Sequence, residues 1–503
     1  MKSIKLRGVV ASVSGAMLLG ALPAMADSND DIINALMAKG VLTEEEGALL
    51  MKGRQGEKEA AEAKKKSEIK ASFKDGIVFE SGDKAFKMSI NGRVQADYRT
   101  FHPQQVNNQA DTWDIRRAYL GVKGTFYDWI DFAAIANFAN TSSQNSSAMY
   151  EYYLNLRPVD YAQLQMGQFK QPMSLEELTS SRFINFTERS YAAQLAPGID
   201  RGAMLQGIPV KGTTYAVGYF NGLGSNINSS AQNFNENSIQ NDGKAWTGRV
   251  TANIAELMGN PDMVAHLGVA YSDSWGNNNT SGTANSTQVT LRSEGRGLDV
   301  FKSANLRDGF DLTRTGLEGA FAYNQFKLQS EYAHADYQND KGLIVSGTAT
   351  DDSKTIKTWN AALTWLVTGE KYADSYKNGK FDRIKPFNDF NPRMEGGNKG
   401  WGAWELGLRY TNLDASDFET PYLAATVGPT PAAQTAKFNE AHAWTAGVKW
   451  IINPNTRFLL DYIHTKLDCA NGTTTAQTNA NKAACDSVDD TENAMNFRAQ
   501  FDF

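Results

Sequence analysis

From about residue 72 to the last residue, apolar and polar side chains alternate with a period of two. In MSINGRVQADYR, Met88, Ile90, Gly92, Val94, Ala96 and Tyr98 fall on one face, and Ser89, Asn91, Arg93, Gln95, Asp97 and Arg99 on the other. The pattern recurs in WTGRVTANI, where Trp246, Val250, Ala252 and Ile254 oppose Thr247, Arg249, Thr251 and Asn253, and in WELGLRY, residues 404 to 410. It ends in AMNFRAQFDF, with Phe497, Ala499, Phe501 and Phe503 set against Arg498, Gln500 and Asp502. Period two is the signature of an extended strand, whose successive side chains point to opposite faces. Each strand therefore needs an apolar medium on one side and water on the other.

The alternation predicts strands near 87–99, 113–124, 128–140, 148–157, 161–169, 202–210, 213–221, 245–255, 263–273, 314–323, 325–337, 354–367, 402–412, 441–452, 455–467 and 493–503. Sixteen is an even number, as a closed antiparallel barrel with both termini on one side requires. Short turns such as Pro158-Val159-Asp160, Val210-Lys211-Gly212 and Asn453-Pro454-Asn455 trade places with long polar loops at 221–244, 274–313, 413–440 and 468–492. Outer-membrane barrels have that asymmetry, with short turns in the periplasm and long loops outside. Residues 368–401 break it, a long segment on the short-turn side.

The N-terminal part follows other periods. Lys2, Lys5 and Arg7 precede an apolar run, and Ala24-Met25-Ala26 is a small-residue cleavage site, so residues 1–26 read as a signal peptide for export. Residues 27–70 predict a short helical hairpin: 31–39 is helical, Gly40 suits a left-handed cap, and Thr43 with Glu46 makes a capping box. The charged tail GEKEAAEAKKKSE then leads to the strands, and 71–503 reads as the barrel. Beyond residue 26 no apolar run approaches the roughly 18 residues of a membrane helix. A barrel needs none, because its alternation averages to a polar hydropathy.

Composition sharpens this reading more than it changes it. The chain has 25 Phe, 19 Tyr, 10 Trp and 43 Gly, and a net charge of -6 that becomes -9 once Lys2, Lys5 and Arg7 leave. That balance argues against a nucleic-acid partner, and an anion preference would have to come from a local field in a lumen. The two cysteines, Cys469 and Cys485, lie in the polar segment before the last strand and read as a disulfide, a loop staple outside the reducing cytosol. No metal site or cofactor is expected.

Sixteen strands leave a water-filled channel. Its selectivity would rest on lumen-facing charges and on any loop folded inward. The candidate loop is 170–201, with Lys170, Arg182, Arg189 and Arg201 among Ser180, Ser181 and Thr187. Arg93, Arg116 and Arg117 are the strand residues expected to join it, because guanidinium groups hold phosphate oxygens in pairs and stay charged. Alternation points Arg93 inward. Neighbours Arg116 and Arg117 can both face the lumen only across a bulge. The competing reading pairs these cations with Asp97, Asp111 or Asp114 to hold the wall. An enzyme would need a nucleophile and a base in reach. Of the five histidines, His334 points outward, and His266, though lumen-facing, has no triad around it.

The blocks INGRVQADY (90–98), IRRAYLGVKGT (115–125), GQFKQPMSLEELTSS (167–181), FTERS (186–190) and KFDRIKPF with GAWELGLRY (380–387, 402–410) resemble the phosphate-selective porin O and P family of outer-membrane channels. The resemblance implies a homotrimer of sixteen-stranded barrels in outer-membrane lipid, passing phosphate or polyphosphate. It implies an anion site at Arg93, Arg116, Arg117 and Tyr119, with loop hydroxyls from Ser180 and Ser181 and a basic neighbour, Arg182. It implies a row of arginines drawing anions inward, matched by Arg292, Arg296, Arg307 and Arg314. Two positions depart from the family pattern: Tyr150, beside Glu151, stands where an acid is expected, and Glu177 where a lysine is expected. A general porin, or one tuned to another solute, is the alternative, with the N-terminal segment as an envelope tether.

Overall fold

The computed structural model describes residues 28–73, 76–102, 110–139, 148–226, 243–275, 289–304, 310–338, 344–345, 348–349, 353–394, 399–424 and 436–503. The expected signal peptide and Arg307 lie outside them.

Sixteen long strands follow one another: β1 (Phe86–His102), β2 (Thr112–Phe126), β3 (Ile130–Asn137), β4 (Ala148–Val159), β5 (Ala162–Lys170), β6 (Ile199–Gly207), β7 (Thr213–Phe220), β8 (Lys244–Asn253), β9 (Met263–Trp275), β10 (Asp311–Tyr323), β11 (Phe326–Gln338), β12 (Ser353–Leu366), β13 (Ala403–Asp414), β14 (Phe438–Asn453), β15 (Thr456–Cys469) and β16 (Thr491–Asp502). Each pairs antiparallel with the next. The ring closes where β16 meets β1, from Asn493 opposite His102 to Asp502 opposite Arg93. The last residue completes that seam: the Gly92 amide donates to the Phe503 carbonyl (2.9 Å) and the Phe503 amide to the Gly92 carbonyl (3.1 Å). Closure satisfies every strand edge, which lipid demands.

The two faces follow the alternation. Val94, Leu120, Val250, Leu267, Leu328, Leu408, Leu460 and Phe501 stand exposed on the outside, whereas Arg93, Gln95, Asp97 and Arg99 of β1 and Asn496, Arg498, Gln500 and Asp502 of β16 are buried inside. Expected strand boundaries hold to within a few residues. The strand expected at 202–210 is displaced as a whole, to Ile199–Gly207. Lys170 and Phe169 pair with Ile199 and Asp200, which draws the strand start back, and Pro209, having no N–H, lies past its end.

Short turns join the strands at one end and long connections at the other. Residues 171–198, with one-turn helices Leu175–Leu178 and Tyr191–Leu195, turn into the lumen. So does part of the loop around 289–303, whose Glu294 accepts from Arg409 (2.7 Å), Thr411 (2.6 Å) and Thr445 (2.6 Å) on β13 and β14. The anomalous long segment on the short-turn side also folds in. Its tight hairpin, Tyr376–Lys377 with Lys380–Phe381, reaches β8, where Arg249 donates to the Gly379 carbonyl (2.8 Å). Gly379 has φ +73°, and a Cβ there would meet Thr251 and Thr214 at 2.9 and 3.1 Å.

The connection before β16, expected as a polar loop, is not all irregular. It holds a helix, Thr475–Cys485, capped by the Thr474 side chain, and Cys485 is bonded to Cys469 at the end of β15. An apolar cluster including Leu291, Phe301, Tyr337, Phe418 and Tyr422 packs the loops of this end.

The N-terminal unit, described by itself, consists of the helices Ser28–Ala38 and Glu44–Ser67. Gly40 closes the first with φ +68°. The capping box is formed: the Glu46 amide donates to Thr43 Oγ1 (3.2 Å) and the Thr43 amide to Glu46 Oε2 (3.0 Å). The charged tail expected as a connector continues the second helix to Ser67. Its residues include strong helix formers, Glu, Lys and Ala.

Candidate functional site

Residues 171–198 stay inside because the lumen wall offers partners for their polar groups and flat seats for their rings. Ser174 Oγ and the Glu176 amide donate to Glu331 on β11 (2.6 and 2.7 Å). Asn185 donates to Glu405 on β13 (2.7 Å), and the Thr187 amide and hydroxyl donate to Asp461 on β15 (2.6 and 2.8 Å). The Arg409 guanidinium stacks over Phe186 at 4.6 Å, and Arg457 and Arg383 lie over Phe183 at 5.3 and 5.1 Å. Phe186 fits only because Gly407 and Gly447 lack side chains, since a Cβ at either would approach its ring to 2.9 or 3.0 Å.

Leu178 and residues 180–183 of the loop line, with the strands, a cavity of about 940 Å³. Among the described residues the cavity is lined by nine cationic side chains against four carboxylates, an electropositive pocket inside an acidic protein. Arg93, Tyr119, Lys170, Ser180, Ser181 and Arg182, expected from the sequence, all line it. Arg93 Nη1 donates to Ser181 Oγ (2.6 Å), and its guanidinium lies 4.3 Å over the Tyr119 ring. Among the described residues Arg93, Arg117 and Arg182 have no carboxylate partner. Arg117 donates to Gln95 Oε1 (3.0 Å) and Arg182 to Asn91 Oδ1 (3.4 Å). Burial, then the charge of Arg93, pushes Arg182 down to about 10.

Arg116 and Arg117 both face inward. The register of β1 and β2 slips between Gln95 and Ala96, which face Arg117 and Ile115, so Arg116 is an extra residue bulged out of the ladder. A second slip, between Ile135 and Ala136, does the same for Tyr150, and both Tyr150 and Glu151 line the cavity. The Tyr150 ring packs against Tyr119 with centroids 4.4 Å apart.

Three sequence expectations need correction. The carboxylates proposed as partners of Arg93, Arg116 and Arg117 serve others: Asp97 binds Arg99 (2.6 Å) and Arg498 (2.7 Å), Asp111 accepts the Phe101 amide (3.2 Å), and Asp114 is 4.0 Å from Arg99. Arg116 instead binds Glu188 (2.7 Å). Lys170 and Arg189 are not free cations, because Glu177 lies between them at 3.0 and 3.2 Å. Burial alone would raise the Glu177 carboxyl, but Arg189 and then Lys170 hold it below the usual range. The row expected from Arg292, Arg296 and Arg314 is not continuous. Arg292 is solvent-exposed and 3.5 Å from Asp299, Arg296 reaches Glu188 (3.6 Å), and Arg314 is buried, donating to the Leu223 carbonyl (2.9 Å).

Lys87, Lys123, Lys377, Lys380 and Lys385 line the cavity without having been singled out. Alternation already placed Lys87 and Lys123 on the inward face with Arg93 and Tyr119. The other three lie in the folded-in turn, where no periodicity marks them. His266 faces the lumen as expected, 3.1 Å from Glu318 and 2.7 Å from the Tyr376 hydroxyl.

A closed sixteen-strand barrel with an oily exterior and a charged, wet interior narrowed by an inward loop defines a porin, a diffusion channel and not an enzyme. The chain belongs to the phosphate-selective porin O and P family, whose model matches residues 88–503. It is therefore a protein of the bacterial outer membrane. Porin O of Pseudomonas aeruginosa is 27% identical over 427 residues, 80% of this chain and 88% of that protein. Solved barrels with similar folds include OprB of Pseudomonas putida (8% identity, TM-score 0.47, 84% of this chain and 95% of that one). Another is the trimer form of OmpT of Vibrio cholerae (11% identity, TM-score 0.46, 83% of this chain and 100% of that one).

Proposed function

We propose that the channel passes small anions by diffusion, phosphate or polyphosphate first, and that it works as a homotrimer in outer-membrane lipid. The observation that carries this reading is the set of arginines without carboxylate partners among the described residues: Arg93 and Arg182 line the cation-rich cavity with the Ser181 hydroxyl, and Arg117 is held by Gln95, which donates to the Ser181 carbonyl (2.9 Å). A guanidinium and a hydroxyl a hydrogen bond apart offer phosphate oxygens fixed donors. The surrounding lysines supply a diffuse field that attracts the ion without trapping it.

Glu177 favours a second reading. By pairing with both Lys170 and Arg189 it cancels one of their two positive charges and weakens the field, which suits a channel for smaller or less charged anions. Residues 1–26 fit an export signal, 27–70 a periplasmic helical arm or tether, and 71–503 the pore. Reversal potentials across a lipid bilayer in a tenfold KCl gradient, followed by phosphate titration, test both readings. Anion preference with submillimolar block by phosphate supports the first, anion preference without block the second, and cation preference overturns both.

A further inference from the structure

The inward loop carries an anion of its own into a cage of arginines. Glu188 Oε1 lies 2.7 Å from Arg116 Nε, 3.2 Å from Arg498 Nη2 and 3.3 Å from Arg99 Nη2. Its Oε2 lies 3.1 Å from Arg116 Nη2 and 3.6 Å from Arg296 Nη1. The four guanidinium groups come from β1, β2, β16 and the loop at 289–303. Asp97 pairs with Arg99 and Arg498, and Glu188 is the one carboxylate within ion-pair distance of Arg116 and Arg296 among the described residues. Crowding by Arg116, together with burial, holds Arg296 down at about 9, a sign of more positive charge than two carboxylates offset.

We infer that Glu188 is a specificity-determining residue: a tethered carboxylate that sits in the anion site of this cage and limits how tightly a passing phosphate is held there. Rested on the anion-channel reading above, the inference follows from geometry. Arg116 presents Nε and Nη2 side by side to the two carboxylate oxygens, the paired arrangement it would offer to phosphate. The loop has anchors besides the Glu188 side chain, since Glu331, Glu405 and Asp461 bind Ser174, Asn185 and Thr187. Without Glu188, a cage of four arginines relieved by Asp97 and, at 4.0 Å from Arg99, by Asp114 would bind a dianion too firmly for transit. The swing of one side chain lets an entering anion take the place of Glu188, and its return expels that anion toward Arg117 and Arg93.

The test compares wild type with Glu188→Gln in a planar bilayer, using KCl with inorganic phosphate titrated in. Gln keeps the shape and loses the charge, so the half-blocking phosphate concentration is expected to fall about tenfold and blocking events to lengthen about tenfold. Glu188→Asp, one methylene shorter, should lie between. A mere structural anchor would lower the heat resistance of the assembled protein and leave phosphate block unmoved or weaker, which would overturn the inference. Should Glu188→Gln not assemble, Glu188→Asp decides alone, and an unchanged half-block overturns it. A wild type that prefers cations in a KCl gradient refutes the anion-channel reading itself, whereas an anion-preferring wild type with an unmoved Glu188→Gln refutes this inference only.

Discussion

Replacing Arg93 with Gln separates the free arginines from the paired ones. Its guanidinium is buried, touches the Ser181 hydroxyl at 2.6 Å and has no carboxylate partner among the described residues, so removal strands no opposing charge. What is lost is one hydrogen bond and the contact with Tyr119, together about 1–2 kcal/mol, small beside the many contacts closing the barrel. Correct assembly is therefore expected. An anion bridging Ser181 and Arg93 would sit within about 4 Å of the guanidinium, where Coulomb attraction reaches about 4 kcal/mol at an effective dielectric of about 20. Hydrogen bonds to charged groups contribute about 1.5–3 kcal/mol net in proteins, and that smaller figure governs a hydrated cavity. It converts to a roughly 10- to 150-fold rise in the phosphate concentration that half-blocks chloride current in a bilayer. A shift under twofold in a properly assembled Arg93→Gln channel would refute the assignment of Arg93 to the neck of the pore.

Glu177→Gln should free Lys170 and Arg189 from their shared carboxylate and move the reversal potential in a tenfold KCl gradient toward the chloride limit. Because it leaves two buried cations unpaired, it should also cost about 3–5 kcal/mol, visible as a lower temperature of barrel dissociation in detergent. Replacing Cys469 and Cys485 together by Ser should loosen only the loop cap, by about 3 kcal/mol for a loop of this size, giving faster proteolysis between them with conductance unchanged. Gly379→Val forces a branched side chain into a left-handed backbone position against Thr251 and Thr214, and should push the inward hairpin off β8 and raise single-channel conductance.

The barrel was legible because lipid outside and water inside impose a two-residue alternation on every strand, so Val94 and Arg93 declare their faces without knowledge of any partner. The same rule gave Arg93 its direction. It could not resolve Arg116 and Arg117, because the slip that turns both inward is a property of how β2 pairs with β1 and leaves no mark in IRRAY. Glu188 was hidden for a related reason. Its destination depends on where 171–198 runs, and that path is set by Glu331, Glu405, Arg409 and Asp461, more than 140 residues further along the chain. The helix Thr475–Cys485 was missed because its polar composition carries no apolar stripe, only a cap at Thr474.

The bulge at Arg116 separates two kinds of change in the wall. Deleting that one residue would bring Ile115 next to Arg117 and leave every other side chain of β2 pointing as before, membrane side and water side alike. Lineages of such channels can thus acquire or shed a whole positive charge at the gate by a three-base insertion or loss in the gene, while the greasy coat that holds the cylinder in its bilayer goes untouched.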